Sequence, residues 1–95
     1  MESINSSTVF RHVDDIRYRI IDDEAVVIRQ EAGEVMGLNP TGARLLELID
    51  SEKSVEGLVD AMSEEFQMER AELERDVFRF LQELWEAGVI EESTT

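Results

Sequence analysis

The 95-residue sequence has no cysteine, one proline and one histidine. Without cysteine, the chain can form no disulfide, thiolate nucleophile or cysteine-ligated zinc or iron–sulfur site. No apolar run approaches the roughly 18 residues that span a bilayer. The first residues have neither a basic start nor the hydrophobic core of a signal peptide. We therefore expect a cytoplasmic protein without a membrane partner.

Positive charge is also scarce, since 23 acidic residues stand against nine basic ones, for a formal net charge of −14. Residues 1–38 carry eight acids and four bases (net −4), and residues 39–95 carry fifteen acids and five bases (net −10). A surface this negative repels phosphate, so we expect no nucleic-acid partner. The excess indicates either a solvated surface or recognition of a basic partner.

Motifs for catalysis and cofactor binding are missing as well. His12 has no partner at a recognisable spacing, so it predicts neither a catalytic triad nor a metal site. The acidic clusters match no calcium-binding loop, and Gly33, Gly37 and Gly42 form no phosphate-binding pattern. We expect a non-enzymatic protein without a cofactor or a metal. An acidic hydrolase or metal-dependent enzyme would need a constellation that the sequence does not contain.

Strand patterns occupy the first half of the sequence. The stretch IRYRI alternates apolar and polar residues and is followed by the β-branched stretch AVVIR, so a hairpin is predicted over residues 16–29. After a second turn, the short run EVMGL, Glu34–Leu38, predicts a third strand at an edge of the sheet. Gly37 weakens such a strand but lets another backbone come close.

Helix signals follow directly. Asn39 suits the N-cap of a first helix over residues 40–50. Ser54 caps a second helix with a single apolar stripe, and a third helix over residues 70–87 ends at Gly88 in a left-handed conformation. The order of elements predicts an α+β fold, with a three-stranded antiparallel sheet followed by three helices.

The third helix has aromatic and basic residues at the margins of its apolar stripe. Phe78 and Trp85 lie about 120° to 140° around the helix from Leu73. They form either the edge of the core or anchors for a partner. Near the opposite margin, Arg75 and Arg79 either stay solvated or pair with acids on a peptide.

The stretches LNPTGARLLELID, SVEGLVDAM and RDVFRFLQELWEAGVI make the chain resemble the PqqD-like family, small domains also called RiPP recognition elements. The likeness begins near Arg17 and is most specific at Leu38–Thr41 and in the pattern from Asp76 to Gly88. It implies a winged-helix-like fold without catalytic activity. The polar start of the sequence predicts a partly extended N-terminal arm over residues 1–15, and the resemblance implies a single peptide-binding domain over residues 16–92.

The resemblance also implies that the domain captures the leader of a ribosomally made precursor peptide. The leader adds as a strand to the third strand, in the cleft beside the third helix. A separate modifying enzyme, such as a peptidase, a cyclase or a radical SAM enzyme, then acts on the precursor. The candidate peptide-binding residues are Glu34, Val35, Met36, Gly37, Leu38, Arg75, Arg79 and Phe80, together with Phe78, which is added for its aromatic character and not from the resemblance.

Other interpretations share this outline. A winged helix-turn-helix regulator fits the order of elements, but the second helix contains four acids and no Lys or Arg, which disfavours DNA binding. Another kind of protein–protein adaptor also fits. The Asn-Pro-Thr-Gly entry to the first helix is similar to stand-alone members from lasso-peptide pathways, but it does not choose between these, the quinone-cofactor pathway and other peptide systems.

Overall fold

The computed structural model describes residues 4–93. Over this range the chain is α+β, and a three-stranded antiparallel sheet and three helices confirm the predicted fold class. The strands are β1 Phe10–His12, β2 Ile16–Ile21, β3 Glu24–Arg29, β4 Glu34–Leu38 and β5 Ile90–Glu92, and the helices are α1 Pro40–Ile49, α2 Val55–Glu65 and α3 Arg70–Glu86.

β2 and β3 form the predicted hairpin, with Ile21 opposite Glu24. Their two-residue turn consists of Asp22 and Asp23, whose φ angles are +50° and +69°. Two positive φ values in succession are what a type I′ turn requires, and Asp tolerates this conformation better than most residues. The turn therefore fixes the register of the hairpin.

β4 joins the other side of β3 and leads almost directly into α1. The strand order β2-β3-β4 leaves β4 at one edge of this sheet and β2 at the other. Asn39 is the single residue between β4 and α1, and its side-chain oxygen accepts a hydrogen bond from the N–H of Gly42 at 2.9 Å. With Pro40 opening the helix, this cap confirms the predicted start of α1.

A second sheet, of two strands, joins the two ends of the described chain. β1 pairs antiparallel with β5, and His12 lies opposite Ile90. Phe10 is buried, and its ring packs edge-on against Trp85 with 5.2 Å between ring centroids. β1 lies within the stretch predicted as the N-terminal arm. Strands of three residues carry too little periodicity for the sequence to show them.

The core lies between the inner face of the larger sheet and the three helices. α3 ends at the predicted position, where Gly88 has a φ of +77°. Each helix contributes one buried apolar stripe, as the spacing predicted. The largest fully buried helical side chains are Leu45, Leu46, Ile49, Leu58, Met62, Leu73, Leu81 and Leu84.

Candidate functional site: the open edge of β4

Within residues 4–93, β4 pairs only with β3, so one side of its backbone has no strand partner. The N–H of Gln30, at the end of β3, donates to the carbonyl of Asp15 at 3.1 Å, which is on the β2 side. Successive residues of a central antiparallel strand bond to opposite neighbours. Even-numbered residues of β3 therefore bond towards β2, and odd-numbered residues bond towards β4.

This alternation determines which backbone groups face the open edge. Odd-numbered residues of β3 lie opposite even-numbered residues of β4, as Val27 lies opposite Met36. The even-numbered residues of β4 thus direct their N–H and C=O groups at β3. Val35 and Gly37 direct theirs away from the sheet, where an added strand could bond to them.

The side chains of β4 are mostly uncharged. Val35 stands on the outer face and is 67% exposed, whereas Leu38 points into the core. A Cβ added to Gly37 would meet nothing closer than the carbonyl oxygen of Ala25, at 4.0 Å. The strand therefore offers an edge with little steric obstruction.

α3 supplies a wall beside the end of β4. Phe80 is 8% exposed and lies so close to the start of α1 that a Cβ on Gly42 would be 3.0 Å from its ring and 3.4 Å from the Cβ of Leu38. The guanidinium carbon of Arg79 is 5.4 Å from the centroid of the Phe80 ring. The Nη2 of Arg79 is 3.4 Å from the Oδ1 of Asp76. These contacts hold Arg79 close to the wall.

The other helical candidates are Arg75, which lies one turn before Arg79 on the same face of α3, and Phe78. Arg75 is exposed, and no ion pair or hydrogen bond to it occurs in the described part of the chain. Phe78 lines a different cavity, with Val55 and Val59 of α2. Residues two apart on a helix point about 160° from each other, so Phe78 cannot share the face of Phe80. Phe78 therefore lies on a different face of α3 from Phe80, and its role in peptide binding stays a prediction.

A cavity of about 260 Å³ lies between the first half of β4 and the C-terminal end of α3. Five of its eight lining residues are apolar, and three are charged. We call it the β4 cavity. Its lining residues are Val27, Arg29, Glu34, Val35, Met36, Glu86, Ala87 and Val89.

Arg29 connects the two sides of this cavity, and sequence reasoning did not identify it. Its Nη1 donates to the carbonyl of Ala87 at 3.2 Å and to Glu34 at 3.1 Å. The guanidinium lies against Gly88, where a Cβ would be 2.9 Å from its central carbon. The sequence did contain a signal for this residue, because Arg29 follows Ala25 and Val27 at the inward-facing positions of β3, where an arginine is unusual.

The other edge of the sheet has a different, more polar environment. His12 holds β1 to the end of α1, because its Nδ1 is 3.0 Å from a carboxylate oxygen of Asp50 and its Nε2 is 2.7 Å from the carbonyl of Leu46. Burial raises the pKa of the Tyr18 phenol, and the charges of Glu47 and Asp50 raise it further.

Two other kinds of site are absent from residues 4–93. Residues 4–93 contain no group of three or more His, Cys, Asp or Glu side chains placed to hold a metal ion. No helix in that range is long and apolar enough to cross a bilayer.

Comparison with known proteins relates this geometry to leader-peptide complexes. Residues 24–90 match the family described as Coenzyme PQQ synthesis protein D (PqqD). A structure of TbiB1 in complex with the TbiA(beta) leader peptide has a TM-score of 0.79 and 30% identity, and the match covers 90% of this chain and 99% of that one. A structure of lasso peptide synthetase B1 complexed with the leader peptide has a TM-score of 0.76 and 26% identity, over 86% of this chain and 96% of that one. No curated protein matches the sequence significantly.

Proposed function

This chain belongs to the PqqD family, and we propose that it acts as a RiPP recognition element, binding the leader segment of a ribosomally synthesised precursor peptide. The two similar structures are B1 proteins bound to leader peptides, and the likeness covers most of both chains. The observation that carries the proposal is the unpaired edge of β4 beside the wall of α3.

In this proposal the leader adds to β4 as a further strand. Val35 and Gly37 exchange backbone hydrogen bonds with it, and these bonds depend little on the leader's sequence. Alternate leader side chains enter the cleft beside Met36, Leu38 and Phe80, where they provide selectivity. Because ordering a disordered leader is costly, we expect a Kd between nanomolar and micromolar, roughly −12 to −8 kcal/mol.

The bound leader presents the rest of the precursor to a separate modifying enzyme, a peptidase, a cyclase or a radical SAM enzyme. The domain itself catalyses no reaction on the precursor. It works in the cytoplasm, where the precursor is synthesised. Tethering raises the local concentration of the modifiable segment to about the millimolar range when the linker is short. The fold is winged-helix-like in this proposal, but α2 offers no Lys or Arg to DNA.

Fluorescence polarisation tests the proposal with a labelled synthetic peptide that covers the leader of the small precursor encoded beside this chain. We expect saturable binding below about ten micromolar. A scrambled peptide of the same composition is the control, and a DNA duplex at low salt separates the regulator alternative. No leader binding up to high micromolar concentration, or tight and salt-sensitive DNA binding, would contradict the proposal.

A further inference from the structure

We propose that the β4 cavity is a subsite for one leader side chain that has an apolar stem and an uncharged oxygen acceptor at its tip, which the Arg29 guanidinium binds. The inference rests on the leader binding at β4 proposed above. It adds the chemistry of one leader position.

The place and size of the cavity suit a single side chain. Val35 and Met36 are consecutive residues of β4 and both line it. A strand added at Val35 places every second side chain on the inner face of the sheet, towards the cavity. At about 260 Å³, the volume is below the roughly 300–1,000 Å³ of small-molecule sites. One side chain of the leader is therefore a better guest than a separate ligand.

Arg29 gives the cavity donors that the free protein does not satisfy. A guanidinium carries five N–H groups, yet the bonds to Glu34 and Ala87 both leave from Nη1. Its Nε is buried without an acceptor among residues 4–93. Nε has almost no solvent-exposed surface, so the donors that a guest can reach are those of Nη2, which is not buried and bonds to no acceptor in the described residues. A guest acceptor would pair with them, whereas an apolar guest of the same shape would remove their water without replacing the bond, which is costly.

The charges around the cavity select an uncharged acceptor. Glu34 and Glu86 both line it, against the single positive charge of Arg29. A guest carboxylate would meet two like charges, and a guest cation would meet the guanidinium at the point where the acceptor is needed. Glutamine and tyrosine have an apolar body and an uncharged acceptor, and they avoid both penalties.

The guanidinium is also held in place before a guest arrives. The carbonyl of Ala87, at the C-terminal end of α3, accepts a hydrogen bond from the Nη1 of Arg29. The C-terminal end of a helix is a favourable place for a cation. Gly88 has no Cβ, and only that absence lets the guanidinium lie against the backbone. The donor therefore needs little reorganisation to receive a leader side chain.

Selection from a displayed library of random peptides of about twelve residues, long enough to pair along all of β4, tests the inference. Peptides are selected on the wild-type protein and counter-selected on Val35→Pro, so that the retained sequences use β4. At one aligned position we expect Gln over Met and Tyr over Phe, each by about fivefold, as one hydrogen bond implies. Glu and Lys should be depleted there.

The variants Arg29→Met and Arg29→Lys separate recognition from a merely structural role, with circular dichroism as the check on folding. We expect Arg29→Met to bind the Met and Phe peptides nearly as well as the wild type does, without preferring Gln or Tyr. Arg29→Lys keeps a donor and should keep part of the preference, so it serves as the test if Arg29→Met does not fold.

The other possible outcomes of these experiments each contradict one of the claims made above. If the selected peptides show no preference at any position, or prefer Glu or Lys at the cavity position, the subsite is wrong and leader binding stands. If both Arg29 variants weaken all peptides equally, Arg29 is only structural. If no peptide is retained after counter-selection, the β4 site itself fails, and the proposed function fails with it.

Discussion

β2 and β4 are the two edge strands of one sheet, and they differ in the side chains that an approaching strand would meet. On the outer face, one cross-strand row runs Arg17, Ile28, Val35 and the next begins at Arg19 and ends at Gly37. Charged side chains on an edge strand oppose pairing with another chain. The arginines thus protect β2, whereas the same rows end on β4 in an aliphatic residue and a glycine.

The surroundings of the two edges reinforce this difference. Beside β2 lies a cavity of about 500 Å³ whose lining includes His12, Tyr18 and Asp50. Beside β4 lie the smaller β4 cavity, with five apolar residues among the eight that line it, and the face of Phe80. A strand added to β2 would meet charges on both sides, and one added to β4 would bury apolar surface. If the leader adds as a strand, as proposed, side chains and not the backbone would decide which edge accepts it.

The largest effect should come from removing an outward N–H of β4, with an outward N–H of β2 as the control. Val35→Pro removes an outward donor of β4 and clashes with an added strand. We therefore expect leader binding to be at least about a hundredfold weaker, which corresponds to a loss of about 2.7 kcal/mol in binding free energy. Ile20→Pro is the matched control, because the alternation that directs Val35 outward also directs Ile20 outward on β2. Leader titrations of both folded variants make the measurement. Equal losses in the two variants would remove the distinction between the edges.

Stability should depend on the contact between the sheet and the end of α3. Gly88→Ala combines a φ of +77° with a Cβ placed 2.9 Å from Arg29, and we expect unfolding to cost about 2 kcal/mol less. Gly33→Ala is the control, since Gly33 has a φ of +67° and open space around its Cβ. It should lose about half as much. Urea unfolding measures both, and equal losses would show that the Arg29 contact contributes nothing.

Removing the charges from β2 should promote self-association through that edge. We expect the double variant Arg17→Thr, Arg19→Thr to self-associate about tenfold more tightly than the wild type, because edge charges oppose strand pairing. Arg75→Thr removes an exposed arginine away from the sheet and is the control. Sedimentation velocity over a range of concentrations measures the effect. Unchanged self-association would mean that something other than these arginines protects β2.

A side chain at Gly37 should stabilise β4 slightly and hinder its guest. Gly37→Thr adds a β-branched residue where the structure leaves space, and we expect a gain of about 0.5–1 kcal/mol in the free energy of unfolding. If a bulky leader side chain uses the space at Gly37, leader affinity should fall by a few fold. Thermal unfolding and a leader titration are read together. Unchanged affinity would show that the space is not used.

The smallest effect concerns Tyr18 on the β2 side. Its pKa is raised by burial and by nearby carboxylates, so the folded state favours the neutral phenol. The resulting stability is present below the ordinary pKa of about 10 and is lost as pH rises through the higher folded pKa. Urea unfolding at about pH 9 and about pH 11 should show a slightly larger loss for the wild type than for Tyr18→Phe. Equal losses would contradict this assignment.

Local signals explain why much of the fold could be predicted. Asn39 with Pro40 marks a helix start, and Gly88 marks a helix end, because each acts within one turn of the backbone. β1 and β5 were missed as a sheet, since they pair across nearly the whole chain through three residues each. Pairing at that distance leaves no periodic pattern in either segment.

The site was harder to predict than the fold. Glu34–Leu38 was recognisable as an edge strand from its length and position. A helical wheel showed that Phe78 lies at a margin but could not say which neighbour covers that margin, and α2 does. Arg29 was missed because its partner Ala87 is 58 residues away in sequence. Contacts of this kind depend on the tertiary arrangement.

Amide hydrogen exchange followed by NMR, with and without the leader peptide, tests the central claim most directly. If the leader adds to β4, the amides of Val35 and Gly37 gain protection on binding, while the outward amides of Tyr18 and Ile20 on β2 keep their free rates. Protection that appears on β2, or leader binding that leaves Val35 and Gly37 exchanging as before, would contradict the account.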